Sequence, residues 1–101
     1  MIQTNNLSHA EAWKIIEVIR GELEKRQGGA AVAVVDTHGE LIAFLRTDGC
    51  PLPSINNAIH KAFTAVRERK PSADIGAAAR REQFAITNFG DLRYTGWGGG
   101  V

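Results

Sequence analysis

The sequence predicts a small single-domain α+β fold in which helices cover an antiparallel β-hairpin. Three observations carry that expectation. Two runs rich in branched and aromatic apolar residues, Val32–Val35 and Leu41–Leu45, flank the polar segment Asp36-Thr37-His38-Gly39, within a stretch that closes at Asp48-Gly49. This is the pattern of two strands joined by a short turn. The first run is apolar at nearly every position, which marks a strand covered on both faces. Amphipathic helical spacing precedes and follows the hairpin, and 101 residues suffice for one core only.

Composition narrows the function classes. With 44% apolar and 23% charged residues and a net charge of +1, the chain is expected to be globular and has no basic face for nucleic acid. Its longest uncharged apolar run falls well short of the ~20 residues of a membrane span. Residues 1–6 lack the basic and apolar regions of a signal peptide, so a cytoplasmic protein is expected, with neither nucleic acid nor membrane as partner. Cys50 is the single cysteine, which excludes an internal disulfide and a multi-cysteine zinc site.

Taken in order, Ser8-His9-Ala10-Glu11 is a capping box opening a first helix, with Leu7 placed to act as its staple. Ala12, Trp13, Ile16, Ile19 and Leu23 form the apolar stripe, Ile15 and Val18 widen it, and Gly28-Gly29 is expected to end the helix. After the hairpin, Cys50-Pro51-Leu52-Pro53 is an irregular connector, and Ser54 is the expected cap of a second helix from Ile55 to about Arg69. Lys70-Pro71 stops it. Ser72-Ala73-Asp74 begins an alanine-rich third helix running to about Arg81, and the turn-rich stretch after Phe84 leaves room for one short strand.

No strong catalytic or metal motif is present. Asn57, Lys61 and Thr64 stand at i, i+4 and i+7 and so share one polar stripe of the second helix. Arg46 and Asp48 close the hairpin, where they either pair with each other or meet Lys61 and Thr64 beside Gly98-Gly99-Gly100 in a pocket suited to carboxylates. The glycine run allows close backbone approach to a ligand and exposes amides to an anion, or else is simply a turn. His9, in the first turn of helix 1, offers an imidazole that can ligate a metal or haem iron, or else is a solvated surface residue. His38 and His60 read as surface residues, and Cys50 has no neighbouring histidine to activate it.

Several linked motifs then resemble a known family. Val34-Val35-Asp36-x-x-Gly39, Phe44-x-Arg46-x-Asp48-Gly49-x-Pro51-x-x-Ser54, Lys61-Ala62-x-Thr64-Ala65 and Gly98-Gly99-Gly100-Val101 look like the pattern of GlcG/HbpS-like proteins, a group that includes the C-terminal domain of the PduO corrinoid adenosyltransferase. The resemblance covers residues 1–101 as one domain. It implies a profilin-like α+β fold, an antiparallel sheet with packed helices in the order α-β-β-α-α and then a further strand, assembled into homo-oligomers. It also implies haem binding, with a haem-degrading or redox-sensing role in some members, and His9 as the position matching the iron ligand of the PduO-type domain. Members continue past the glycine run with a proline, two further strands and a helix. Those are absent here, so an open sheet edge is expected, to be covered by another copy or by a second polypeptide.

Two functions follow. The first is a small-ligand-binding protein for haem or another tetrapyrrole, with His9 as candidate axial residue. The second is an enzyme or accessory subunit acting on a small carboxylate or corrinoid, held by Arg46, Lys61 and the glycine-run amides. A scaffold with a vestigial pocket is the bland third reading.

Overall fold

The computed structural model describes residues 6–101; residues 1–5, on which the expectation of no signal peptide rests, lie outside the described residues. The element order is α1 (His9–Leu23), β1 (Ala31–Val35), β2 (Leu41–Arg46), α2 (Pro53–Glu68), α3 (Ser72–Glu82) and a 3₁₀ turn over Ile86–Phe89.

Among the described residues the sheet consists of β1 and β2, paired antiparallel from Ala31 opposite Arg46 to Val35 opposite Leu41. Ile42 is the extra residue of a bulge, because Val34 faces Ala43 while the next residue faces Leu41. Asp36 fastens the turn, its Oδ1 accepting the backbone N–H groups of His38 (2.8 Å) and Glu40 (3.0 Å). At the other end, Thr47 Oγ1 accepts the N–H of Ala30 at 2.8 Å. Helix α2 packs on β1, whereas α1 packs on both strands, so β1 is covered as its uninterrupted apolar run requires.

The capping box forms as the sequence specifies, with Ser8 and Glu11 exchanging bonds of 3.1 Å. The far end of α1 differs. The helix stops at Leu23 rather than at Gly28-Gly29, since Glu24, Lys25, Arg26 and Gln27 have nothing apolar to bury and their amides tighten into a turn. The stripe is also narrower than expected: Ala12 and Ile16 are buried, but Trp13 (51%) and Val18 (73%) are exposed. Two strands about 5 Å apart are too narrow to cover the whole arc.

At α2, Pro53 rather than Ser54 opens the helix; its fixed φ suits the first helical position, and the Leu52 cap makes no side-chain bond. The helix ends at Arg69, whose φ of 55° is left-handed. Helix α3 starts at Ser72 as expected and buries Ser72, Ile75, Gly76 and Ala79. Where the sequence left room for a short strand after Phe84, the described residues hold the 3₁₀ turn.

The segment after α3 is held against α2 by two devices. Thr64, fully buried, donates from Oγ1 to the carbonyl of Arg93 (3.4 Å) and accepts the N–H of Thr95 (3.0 Å). The Arg93 guanidinium lies 3.9 Å from the Phe63 ring centroid and pairs with Asp91 (3.0 Å) and Glu40 (2.9 Å). Tyr94 meets Phe63 edge-on at 5.6 Å and stacks on Phe89 at 4.7 Å.

Replacing Thr64 with valine keeps the volume but strands a buried carbonyl and amide, and should cost about 1–3 kcal/mol, read as a lower Tm. Acid should destabilise the fold as well. Bonds from Arg93 hold the Asp91 carboxyl below the usual carboxylate range, and the Glu40 and His38 amides do the same for Asp36. The folded chain therefore binds fewer protons than the unfolded one near the ordinary carboxylate pKa. That stability is complete above about pH 5 and is lost as the pH falls through the depressed values. Asp91→Asn should lower Tm at pH 7 and flatten its decline between about pH 5 and pH 2.

Candidate functional site

A concavity of about 540 Å³ runs along the outer edge of β1. Gly29 through Ala33 form its base; Ile19 of α1 is one wall, and Ser54, Asn57, Ala58, Lys61 and Ala62 of α2 are the other. Gly99, Gly100 and Val101 close one end. The cavity is thus apolar along β1 and polar at Asn57 and Lys61, with Lys61 the one cation among the described residues of its lining. A volume near 500 Å³ lies within the range of small-molecule sites.

The glycine run reaches this cavity for a steric reason. Gly100 packs so tightly that a Cβ there would stand 2.2 Å from the Lys61 carbonyl oxygen and 2.8 Å from Ser72 Oγ. Only glycine tolerates that approach. Buried Ser72 completes the clasp: its Oγ accepts the Gly100 N–H (2.9 Å) and donates to the Trp97 carbonyl (2.6 Å), while its own N–H reaches the Gly100 carbonyl at 3.0 Å. The Gly100 amide is therefore spent inside the protein and is not offered to an anion. Gly99 lies along the Lys61 side chain, and Gly98 remains exposed beside Ala73.

A family model described as haem degrading protein HbpS-like matches residues 7–101. The chain belongs to the HbpS-like family. Among solved structures, a double mutant of Streptomyces reticuli HbpS aligns with a TM-score of 0.79 and 27% identity over 94% of this chain. Klebsiella pneumoniae protein ORFY aligns with a TM-score of 0.77 and 16% identity over 98% of this chain, a likeness of fold. This HbpS-like chain spans 63% of the length of that HbpS chain and 70% of that of ORFY. No curated protein matches the sequence.

Within this HbpS-like fold the residues singled out by sequence do not form one pocket. Asn57, Lys61, Gly99 and Gly100 converge on the β1 cavity. Arg46 and Asp48 line separate depressions, one of about 340 Å³ with Arg20, Glu24 and Arg26 and one of about 270 Å³ with Cys50. They are neither paired with each other among the described residues nor joined to Lys61, because the hairpin carries them to the end where α1 stops. Thr64 leaves the polar stripe as well: it is turned into the core and spent on Arg93 and Thr95. His9 is the exposed first residue of α1 and does not line the β1 cavity. No cluster of three or more His, Cys, Asp or Glu side chains arranged for a metal exists among the described residues, and no helix among them is long and apolar enough to cross a membrane.

Sequence reasoning missed Ser72, which it read only as the start of a helix, and the small residues Ala58 and Ala62 that give the cavity its depth. The spacing of Ser54, Asn57, Ala58, Lys61 and Ala62 at i, i+3, i+4, i+7 and i+8, which puts them on one helical face, was the available signal for the two alanines.

Ser72→Ala would leave the Gly100 amide and the Trp97 carbonyl without their buried partner. A loss of about 1–3 kcal/mol is expected in a denaturant titration.

Proposed function

We propose that this chain binds haem or a related tetrapyrrole. The family match over residues 7–101 carries the reading. A tetrapyrrole presents a flat apolar macrocycle and carboxylates at its rim. The apolar wall of Ile19, Val32, Ala58 and Ala62 suits the macrocycle, while the Lys61 ammonium and the Asn57 amide suit a carboxylate. Among the described residues the cavity lining holds no His, Met, Tyr or Cys side chain, so on this reading an axial ligand comes from outside that lining. His9, exposed at the start of α1, is the proposed ligand to the iron, which when bound supplies redox chemistry. The haem-degrading or redox-sensing step that some members carry out is a proposal for this chain on the same ground.

The missing axial ligand in the lining favours a second reading: a binding site, or an enzyme or accessory subunit, for a small carboxylate or corrinoid. Lys61 and Asn57 then hold the anion, and Arg46 and Asp48 remain outside. In either case the free edge of β1 is compatible with oligomerisation, and we assign the working form to a homo-oligomer or to a pairing with a second polypeptide that completes the sheet.

Haemin titration followed by absorbance separates the two readings. Wild type should give a saturable Soret shift at one haem per subunit. His9→Ala should abolish the shift, and Lys61→Ala should weaken binding by roughly three- to tenfold. Unsaturable spectra insensitive to both substitutions would discard the tetrapyrrole reading, and Lys61-dependent thermal stabilisation by small carboxylates would then establish the second.

A further inference from the structure

A second cavity, of about 430 Å³, lies between α3 and the segment that follows it, and shares no residue with the β1 cavity. Gly76, Ala79 and Arg80 of α3 form one side; Phe84, Ile86, Gly96 and Trp97 form the other. Its floor is bare backbone. A Cβ on Gly96 would stand 2.6 Å from Gly76 Cα and 2.8 Å from Ile86 Cδ1, so the two chain segments touch through glycine and leave the space above them open.

Trp97 is the unusual member. Its carbonyl accepts from Ser72 Oγ at 2.6 Å and its N–H donates to Thr95 Oγ1 at 3.3 Å, yet the residue is 67% exposed. A backbone fixed on both sides holds a large apolar ring at the rim of a cavity without burying it. A ring-shaped ligand under the indole would remove both apolar surfaces from water. Arg80 stands at the same cavity, and no carboxylate pairs with it among the described residues. The neighbouring Arg81 is the one that reaches Glu82, at 3.8 Å.

We propose that this cavity is a binding site for a small planar aromatic carboxylate, its ring between the Trp97 indole and the Phe84–Ile86 wall and its carboxylate on the Arg80 guanidinium. The site is built for an anion with an apolar body: the walls are aromatic and aliphatic, and the single charge among the described residues lining it is a planar guanidinium that takes a carboxylate with two parallel bonds. A volume of 430 Å³ suits one or two fused rings with a short acid. The site stands independently of the tetrapyrrole reading.

The test is a titration of the ¹⁵N-labelled chain with 2-naphthoate, following the two indole Nε1–H resonances, assigned with Trp13→Phe. The Trp97 resonance should shift saturably while that of Trp13 stays in place. Arg80→Gln should weaken the apparent affinity at least tenfold, Arg81→Gln should leave it unchanged, and the neutral 2-naphthamide should bind at least tenfold more weakly than the acid. An unmoved Trp13 resonance in Arg80→Gln reports an intact fold. A shift that does not saturate, equal responses of both indoles, or an affinity indifferent to Arg80 or to the charge of the probe would each overturn the assignment.

Discussion

The hydroxyl of Thr64 is where the second half of the molecule is fastened to the first. It points from the buried face of α2 and bonds both an acceptor, the Arg93 carbonyl, and a donor, the Thr95 amide. Buried backbone groups in an irregular segment must find partners, and this segment has no sheet to supply them. Around that point the other contacts assemble: Arg93 over Phe63, Tyr94 against Phe63, Phe89 on Tyr94. With the segment anchored at residues 93–95, the next turn of chain brings Trp97 and Gly100 within reach of Ser72, and this sets one end of each cavity. Both candidate sites are therefore consequences of how one loop is tied down.

The second constraint is the narrowness of the sheet. Strand β1 is apolar along its length and has helices against it, but its outer edge has no partner strand among the described residues. A free edge with backbone donors and acceptors beside an apolar slot is an unstable surface in water, and proteins cover such edges. The same narrowness leaves Trp13 and Val18 of α1 exposed. The slot along β1 and the uncovered part of α1 thus have one origin, and an oligomer that extended the sheet would address both.

Much of the fold was legible in the sequence because it depends on local chemistry. The Ser8–Glu11 capping box, the alternation of apolar runs with a glycine-closed turn and the Pro71 stop each act over a few residues. The candidate site was legible only in part. Helical spacing correctly put Asn57 and Lys61 on one face, but it could not tell that Thr64, one turn further on, rotates under a segment thirty residues away. Nor could it place Arg46 and Asp48, since the direction in which a hairpin end points depends on where α1 stops. The structure decided that by the absence of apolar residues after Leu23. The role of Ser72 was invisible for the same reason: its partners, Trp97 and Gly100, are contributed by the fold.

The separation of His9 from Lys61 bears on what kind of binding site this chain can build. A buried haem pocket encloses the macrocycle and brings the axial ligand and the propionate partners to it from opposite sides of one cavity. Here the cation lies at the polar end of the β1 slot, whereas the candidate imidazole is exposed at the start of α1 and outside the slot. On the tetrapyrrole reading, a ligand held by both would extend outside the slot, with part of its surface still in water. Affinity would then come from coordination and from the carboxylate contact more than from burial, and would rise if a second chain closed over the exposed face. Binding and assembly would share the edge of β1, and each would favour the other where the ligand spans the interface and compete where it fills the slot.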